Sequence, residues 1–301
     1  MKTGTKFALS AALLGGFLIF LGQSAFLIFV DDIFVLAVLS GLFASLVLSL
    51  TVISPLVADQ LGKIGRKGWF NLLLLGLVGG GSGLAFLRAI DLSGTTEQGV
   101  MMGSILVWLT TLLLIFLKRS SRKKTFFNYS VFLSAGGVLF TLWGSDFSLS
   151  YFLFFIAALL LAWEFLLVKN ILKSVEPEVA AWAKMFFGSL VLLSYAFFTG
   201  KAELFLYVNY SQWSWVILTG VFLLIFVWSW YQAINNLSIS STAKILFLLC
   251  PVGIILSQCF VQKEYWLSLV LLILVLTVGY GYYFLNKRSM ARKNWQTQKK
   301  Y

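Results

Sequence analysis

Long runs almost without charge alternate along the chain with short polar connections, and the lengths of the runs set the first expectation. Ten fall at about residues 7–29, 33–57, 71–90, 100–117, 127–144, 151–169, 181–199, 214–234, 243–262 and 266–285. A hydrocarbon core roughly 30 Å thick takes about 20 apolar residues in a helix, so each run is long enough to cross a bilayer once. The two-residue alternation over segments of about ten positions that marks a membrane barrel strand is missing. The connections at 30–32, 145–150 and 263–265 are barely long enough to turn, which leaves no room for a soluble domain between spans. The pattern predicts an all-α integral membrane protein with ten transmembrane helices.

Composition agrees: 60% of the 301 residues are hydrophobic and 11% charged, against about 25% charged in a soluble domain. A formal charge of +12 suggests nucleic acid until the charges are placed. Lys2 and Lys6 precede the first span, Lys63, Arg66 and Lys67 follow the second, and Lys118, Arg119, Arg122, Lys123 and Lys124 follow the fourth. Lys169 and Lys173 follow the sixth span, and Lys287, Arg288, Arg292, Lys293, Lys299 and Lys300 form the tail, so 18 of 23 basic residues lie on one side. Cytoplasmic loops carry the Lys and Arg excess. Both termini are therefore expected in the cytoplasm, with the lipid bilayer of a cell membrane, a bacterial inner membrane in particular, as partner and no nucleic acid. The Lys2 and Lys6 start resembles a signal peptide, but its apolar run is too long and lacks a small-residue cleavage site, and is read as the first span. Cys250 and Cys259 share the ninth span, where small apolar packing is the expected use. Of the Asn-x-Ser sequons at Asn128, Asn209 and Asn236, only Asn209 is expected outside.

An internal repeat organises the spans. The third ends "FLRAIDLSGTTEQGVMMGSILV" and the eighth ends "WYQAINNLSISSTAKILFLLCP". Superposing them pairs Ala89-Ile90 with Ala233-Ile234 and, after one extra residue, Leu92-Ser93 with Leu237-Ser238. Arg88 then corresponds to Gln232 and Asp91 to Asn235. Spans 1 to 5 and 6 to 10 become two five-helix copies, residues 1–147 and 148–286, followed by a basic tail at 287–301. Because five is odd, the copies have opposite orientation, the inverted-repeat plan of many secondary transporters.

These residues resemble the EamA domain of the drug/metabolite transporter superfamily. In the second half an apolar helix ends in Ala-Ile, a short polar hinge follows, and a small-residue helix leads to Pro251. "QKEYW" with Glu264 and a last span with Gly279 come next. The segment from Leu160 to Leu190, with Trp163, Lys169 and Pro177, is similar to the opening of that domain, and Lys184 stands where many relatives carry a basic residue. In the first half no proline stands near Leu106, "LKRSSRKK" replaces a Glu-containing turn, and Cys250 precedes Pro251 where an acidic residue is common. The resemblance implies a central cavity lined by parts of spans 1, 3, 4, 6, 8 and 9.

Charge at membrane depth faces a cavity or a partner. Arg88 lies near the end of span 3, where it can snorkel, pair with Asp91 along the helix, or serve an anionic group or a gate. Lys184 and Lys244, near span ends, have the same alternatives. Glu164 is deeper, roughly 20 Å along its helix at ~1.5 Å per residue. It is either a structural partner of Lys184 or Lys244, or the site of charge compensation and proton coupling. Trp228, Tyr231 and Asn235 recur at i, i+3 and i+7 and share a helix face, as packing or as a wall contacting substrate. Gly76, Gly79, Gly80, Gly81 and Gly83 contain two G-x-x-x-G spacings, which point to close helix approach.

The chain has no histidine, which removes Ser-His hydrolysis and the usual zinc sites. With no nucleotide motif either, the expectation is a non-enzymatic carrier without cofactor or metal. It would move a small polar or amphipathic metabolite such as an amino acid by alternating access, with export favoured. Uptake or exchange of an anionic or nucleotide-like metabolite, and a non-transporting scaffold, are the alternatives. Oligomeric state is not legible.

Overall fold

A computed structural model of the protein describes residues 3–26, 33–52, 61–62, 64–93 and 149–238, with single positions at 110, 241, 242, 245, 252 and 256. Apart from those single positions, spans 4 and 9 lie outside the described residues, as do spans 5 and 10, the basic tail, Lys244, Cys250, Pro251, Cys259 and Glu264. Among the described residues all regular structure is helical: α1 (Thr3–Phe26), α2 (Ile33–Val52), α3 (Arg66–Ser93), α4 (Leu149–Ile171), α5 (Pro177–Phe198), a 3-10 helix (Lys201–Tyr207) and α6 (Tyr210–Asn236). The six α-helices are each long and apolar enough to cross a membrane, and they correspond to spans 1, 2, 3, 6, 7 and 8.

The helices overrun the apolar runs at their polar ends. α3 begins at Arg66, not at residue 71, and α6 at Tyr210, not at residue 214, because charged and amide residues end a hydrocarbon crossing without ending a helix. Local chemistry fixes the boundaries instead. Pro177 occupies the first turn of α5, where its missing N–H costs nothing. Asn209 and Gln212 form a reciprocal capping box at the start of α6, with Gln212 N donating to Asn209 Oδ1 at 2.9 Å. The one outward-assigned sequon asparagine thus serves as a helix cap. After α5 the chain turns at Gly200, whose φ of 73° is the left-handed region that favours glycine.

α3 packs along both α4 and α5, α1 along α6, and α2 along both α5 and α6. A core runs between them from Ala11, Ala44, Leu72 and Leu75 to Phe165, Val179, Val227 and Tyr231. Leu46, Leu50, Phe70, Phe152, Phe155 and Trp163 are exposed. A helix bundle apolar inside and outside is what a lipid solvent permits.

Small residues let the helices close. A Cβ on Gly80 would lie 2.8 Å from Gly188 O and 2.9 Å from Gly188 Cα. On Gly76 it would collide with Phe187 Cβ, and on Gly220 it would come within 2.6 Å of Phe43 Cδ1. The G-x-x-x-G spacing of Gly76 and Gly80 is thus the α3–α5 contact, whereas among the described residues nothing lies within 4 Å of a Cβ built on Gly83. One interval recurs throughout: it separates Ile33 from Pro177 and Arg66 from Tyr210, the starts of α2 and α5 and of α3 and α6. It also separates Phe43 from Phe187 and Gly76 from Gly220.

Candidate functional site

Four helices converge on one carboxylate. Glu164, in the third turn from the end of α4, is 1% exposed. From α5, Lys184 Nζ donates to Glu164 Oε1 at 2.6 Å. From α6, the fully buried Tyr231 donates its hydroxyl to the same oxygen at 3.1 Å. Oε2 accepts no hydrogen bond among the described residues. It faces α3 at Gly79, where an added Cβ would lie 3.2 Å from Oε2 and 3.4 Å from two carbons of the Lys184 stem. A side chain at position 79 would fill the space through which the α3 backbone reaches the pair.

The two oxygens are therefore unlike. Oε1 takes both donors, and charge-assisted bonds of this kind are the strong ones. Oε2 bears its share of negative charge without a donor, in a site where desolvation makes such a group expensive. The lysine is the outer member of the pair, its side chain 18% exposed against 1% for the glutamate. The site is also one-sided. The interval that relates α2 to α5 and α3 to α6 takes Lys184 to Ser40, Tyr231 to Leu87 and Glu164 to Phe20, none of them charged.

A second polar cluster is built from the α6 residues that flank Tyr231. Trp228 Nε1 and Gln232 Nε2 donate to Glu178 Oε1 at 3.0 and 2.9 Å. The Trp228 ring also meets Phe7 of α1 edge-on at 5.5 Å. Glu178 sits in the first turn of α5, where the unpaired N–H groups of a helix favour a carboxylate. Close by, Lys169 closes α4 onto the end of α6. Its Nζ donates to the carbonyls of Ile234, Asn235 (3.2 Å) and Leu237 (2.9 Å), acceptors that a helix C-terminus leaves without backbone partners. Lys169→Met is expected to cost about 1–3 kcal/mol. It should speed hydrogen exchange of the amides at 234–237 by about tenfold or more, while Lys169→Arg stays near the parent rate.

Three of the seven residues singled out from sequence, Glu164, Lys184 and Tyr231, meet at one point. Trp228 belongs to the Glu178 cluster. Asn235, on the exposed last turn of α6, contributes its backbone carbonyl to Lys169. Arg88 lies at the other end of the bundle, bonded to Asp91 at 2.8 Å with both side chains largely in the open, and its guanidinium is 5.2 Å from the Tyr195 ring centre. Lys244 lies outside the described residues. Glu178 and Gln232 were not singled out, although Gln232 is the repeat counterpart of Arg88 and Glu178 adjoins the proline that starts α5. Among the described residues no group of three or more His, Cys, Asp or Glu side chains is placed to hold a metal ion.

Helices apolar on every side around a few buried, paired charges define a multi-pass membrane protein. Residues 148–287 match the model of the EamA-like transporter family, so the second half of the chain carries an EamA-like transporter domain, which holds both polar clusters. No curated protein matches the chain.

Proposed function

We propose that the protein is a ten-helix secondary carrier, two inverted five-helix units in a cell membrane with both termini cytoplasmic. It moves a small polar or amphipathic metabolite, such as an amino acid, by alternating access, with export the expected direction. The observation that carries this reading is the pattern of helix contacts. Exchanging α1, α2 and α3 for α4, α5 and α6 turns the α3–α4 contact into α6–α1 and the α3–α5 contact into α6–α2, and leaves α2–α5 in place. Gly76 against Phe187 and Gly220 against Phe43 are the same contact made twice. A two-fold exchange of this kind is the geometry that lets two halves rock around a central site.

In this reading Glu164, Lys184 and Tyr231 form the functional centre, and Glu164 takes up a proton in the cycle. Trp228 and Asn235 line the route toward the α6 end, and Arg88 and Lys244 act on anionic groups or gating. The test compares metabolites inside cells and in the medium for parent, Glu164→Gln and empty vector at matched membrane levels. A compound class displaced across the membrane by the parent and not by the variant is the expected result. Coincident profiles in rich and minimal media would leave the scaffold alternative in possession.

A further inference from the structure

We infer that Lys184 is the binding group for the carboxylate of a monoanionic solute, and that Glu164 takes one proton as that carboxylate binds, so that anion and proton travel together. This rests on the carrier reading above and adds its cargo class and stoichiometry.

The inference follows from charge balance in a confined site. Lys184 and Glu164 together are neutral, and the charged or titratable side chains facing the carboxylate among the described residues are Lys184 from α5 and Tyr231 from α6. α3 approaches the pair with its backbone at Gly79. If an incoming anion takes the ammonium group away, a carboxylate 1% exposed is left with the Tyr231 hydroxyl alone. A buried charge deprived of its partner is strongly disfavoured, and such groups neutralise instead of persisting. The proton has a place to go, since Oε2 has no donor among the described residues. The two neutral states of the site are then the internal pair, and protonated Glu164 with Lys184 bound to an external carboxylate.

The opposite assignment, a cationic solute on Glu164 with Lys184 giving up a proton, conflicts with the geometry. Lys184 is the exposed member and Glu164 lies behind it. The one open oxygen of Glu164 is roofed by α3 so closely that a single methyl at Gly79 would stand 3.2 Å from it. A proton needs less room there than a substituted ammonium. A dianion would leave the site with a net negative charge, so a single carboxylate is the match.

The experiment uses the purified full chain in detergent. Thermal unfolding and calorimetric titration are run with acetate, pyruvate and benzoate, and with acetamide and benzylammonium as neutral and cationic counterparts. Carboxylates are expected to bind and the counterparts not. The affinity should rise about tenfold for each unit of falling pH, the slope of one proton bound per anion. In Glu164→Gln the internal competitor is gone, and carboxylate affinity should be higher at neutral pH and flat with pH. Lys184→Gln should not bind. The double variant Glu164→Gln/Lys184→Gln, uncharged at the site, shows by its unfolding midpoint whether loss of binding comes from loss of fold. Binding of benzylammonium in preference to benzoate, a pH-independent parent, a Glu164→Gln variant that keeps the slope, or no carboxylate binding at all would each overturn the inference. Metabolite displacement by the parent in cells would survive any of these results, leaving the carrier reading standing without this cargo.

Discussion

Lys184→Met should destabilise the protein by ~3–5 kcal/mol, whereas Glu164→Leu/Lys184→Met should lie within about 1–2 kcal/mol of the parent or above it. The single change leaves Glu164 1% exposed with one hydroxyl for company, and the desolvation already incurred is no longer offset. The double change removes both charges and returns apolar volume. Glu164→Gln should fall between, since the amide oxygen still accepts from Tyr231 and the 18% exposed Lys184 can reach toward water. Equilibrium unfolding of the purified variants in mixed micelles measures all three. With Glu164→Leu as the second single variant, a near-additive cycle would show that the pair contributes nothing as a pair. Because that pair is also the proposed functional centre, the folded double variant should be inert in the metabolite comparison. Stability and activity would then separate at one site.

Gly76→Val is expected to cost about 3 kcal/mol, the upper part of the range for overpacking, and to reduce the amount of folded protein recovered. The added Cβ meets Phe187 Cβ, Phe187 Cα at 3.1 Å and the Ala183 carbonyl at 3.1 Å. These atoms belong to the α5 backbone or are fixed to it, and can yield only if the helix moves. Gly81→Ala is the control. Its Cβ would stand 3.7 Å from Leu160 Cδ1, an ordinary contact, and the gain in helix propensity of up to about 1 kcal/mol should leave it neutral or slightly stabilised. Thermal unfolding midpoints of both variants decide the matter. Equal shifts at the two positions would mean that the α3–α5 approach is not limiting.

Hydropathy runs located α1, α2, α3, α4, α5 and α6, because transfer of apolar side chains into lipid is a local, additive property of the chain. They missed the ends at Arg66 and Tyr210 for the same reason, since they report depth in hydrocarbon and not continuity of the helix. The pairing of Glu164 with Lys184 was one of two partnerships that burial of a carboxylate allowed. The third member, Tyr231, could not be joined to it, because no sequence signal says that α6 passes α4 at that depth. The i, i+3, i+7 rule placed Trp228, Tyr231 and Asn235 on one face, which is correct about azimuth and silent about neighbours. α4 stands opposite Tyr231, α5 and α1 opposite Trp228, and the Asn235 side chain is exposed in the last turn. Glu178 and Gln232 went unnoticed because each looked like an ordinary polar residue near a helix terminus. Only their meeting across two helices makes them a cluster.

The position of α3 has a consequence for biogenesis. Glu164 and Lys184 lie on the consecutive helices α4 and α5, and α3, which packs against both, reaches the gap between the two side chains with the bare backbone of Gly79. On the ribosome α3 is complete first. α4 then emerges carrying a carboxylate that lipid resists, and its counter-ion is still about 20 residues behind in the nascent chain. The α4–α5 hairpin is therefore the natural unit of membrane insertion, entering as a couple whose charges cancel and clasping a helix from the earlier half. A translation product that stops between them would present an unneutralised acid to the insertion machinery, a ready mark by which incomplete chains can be told from finished ones.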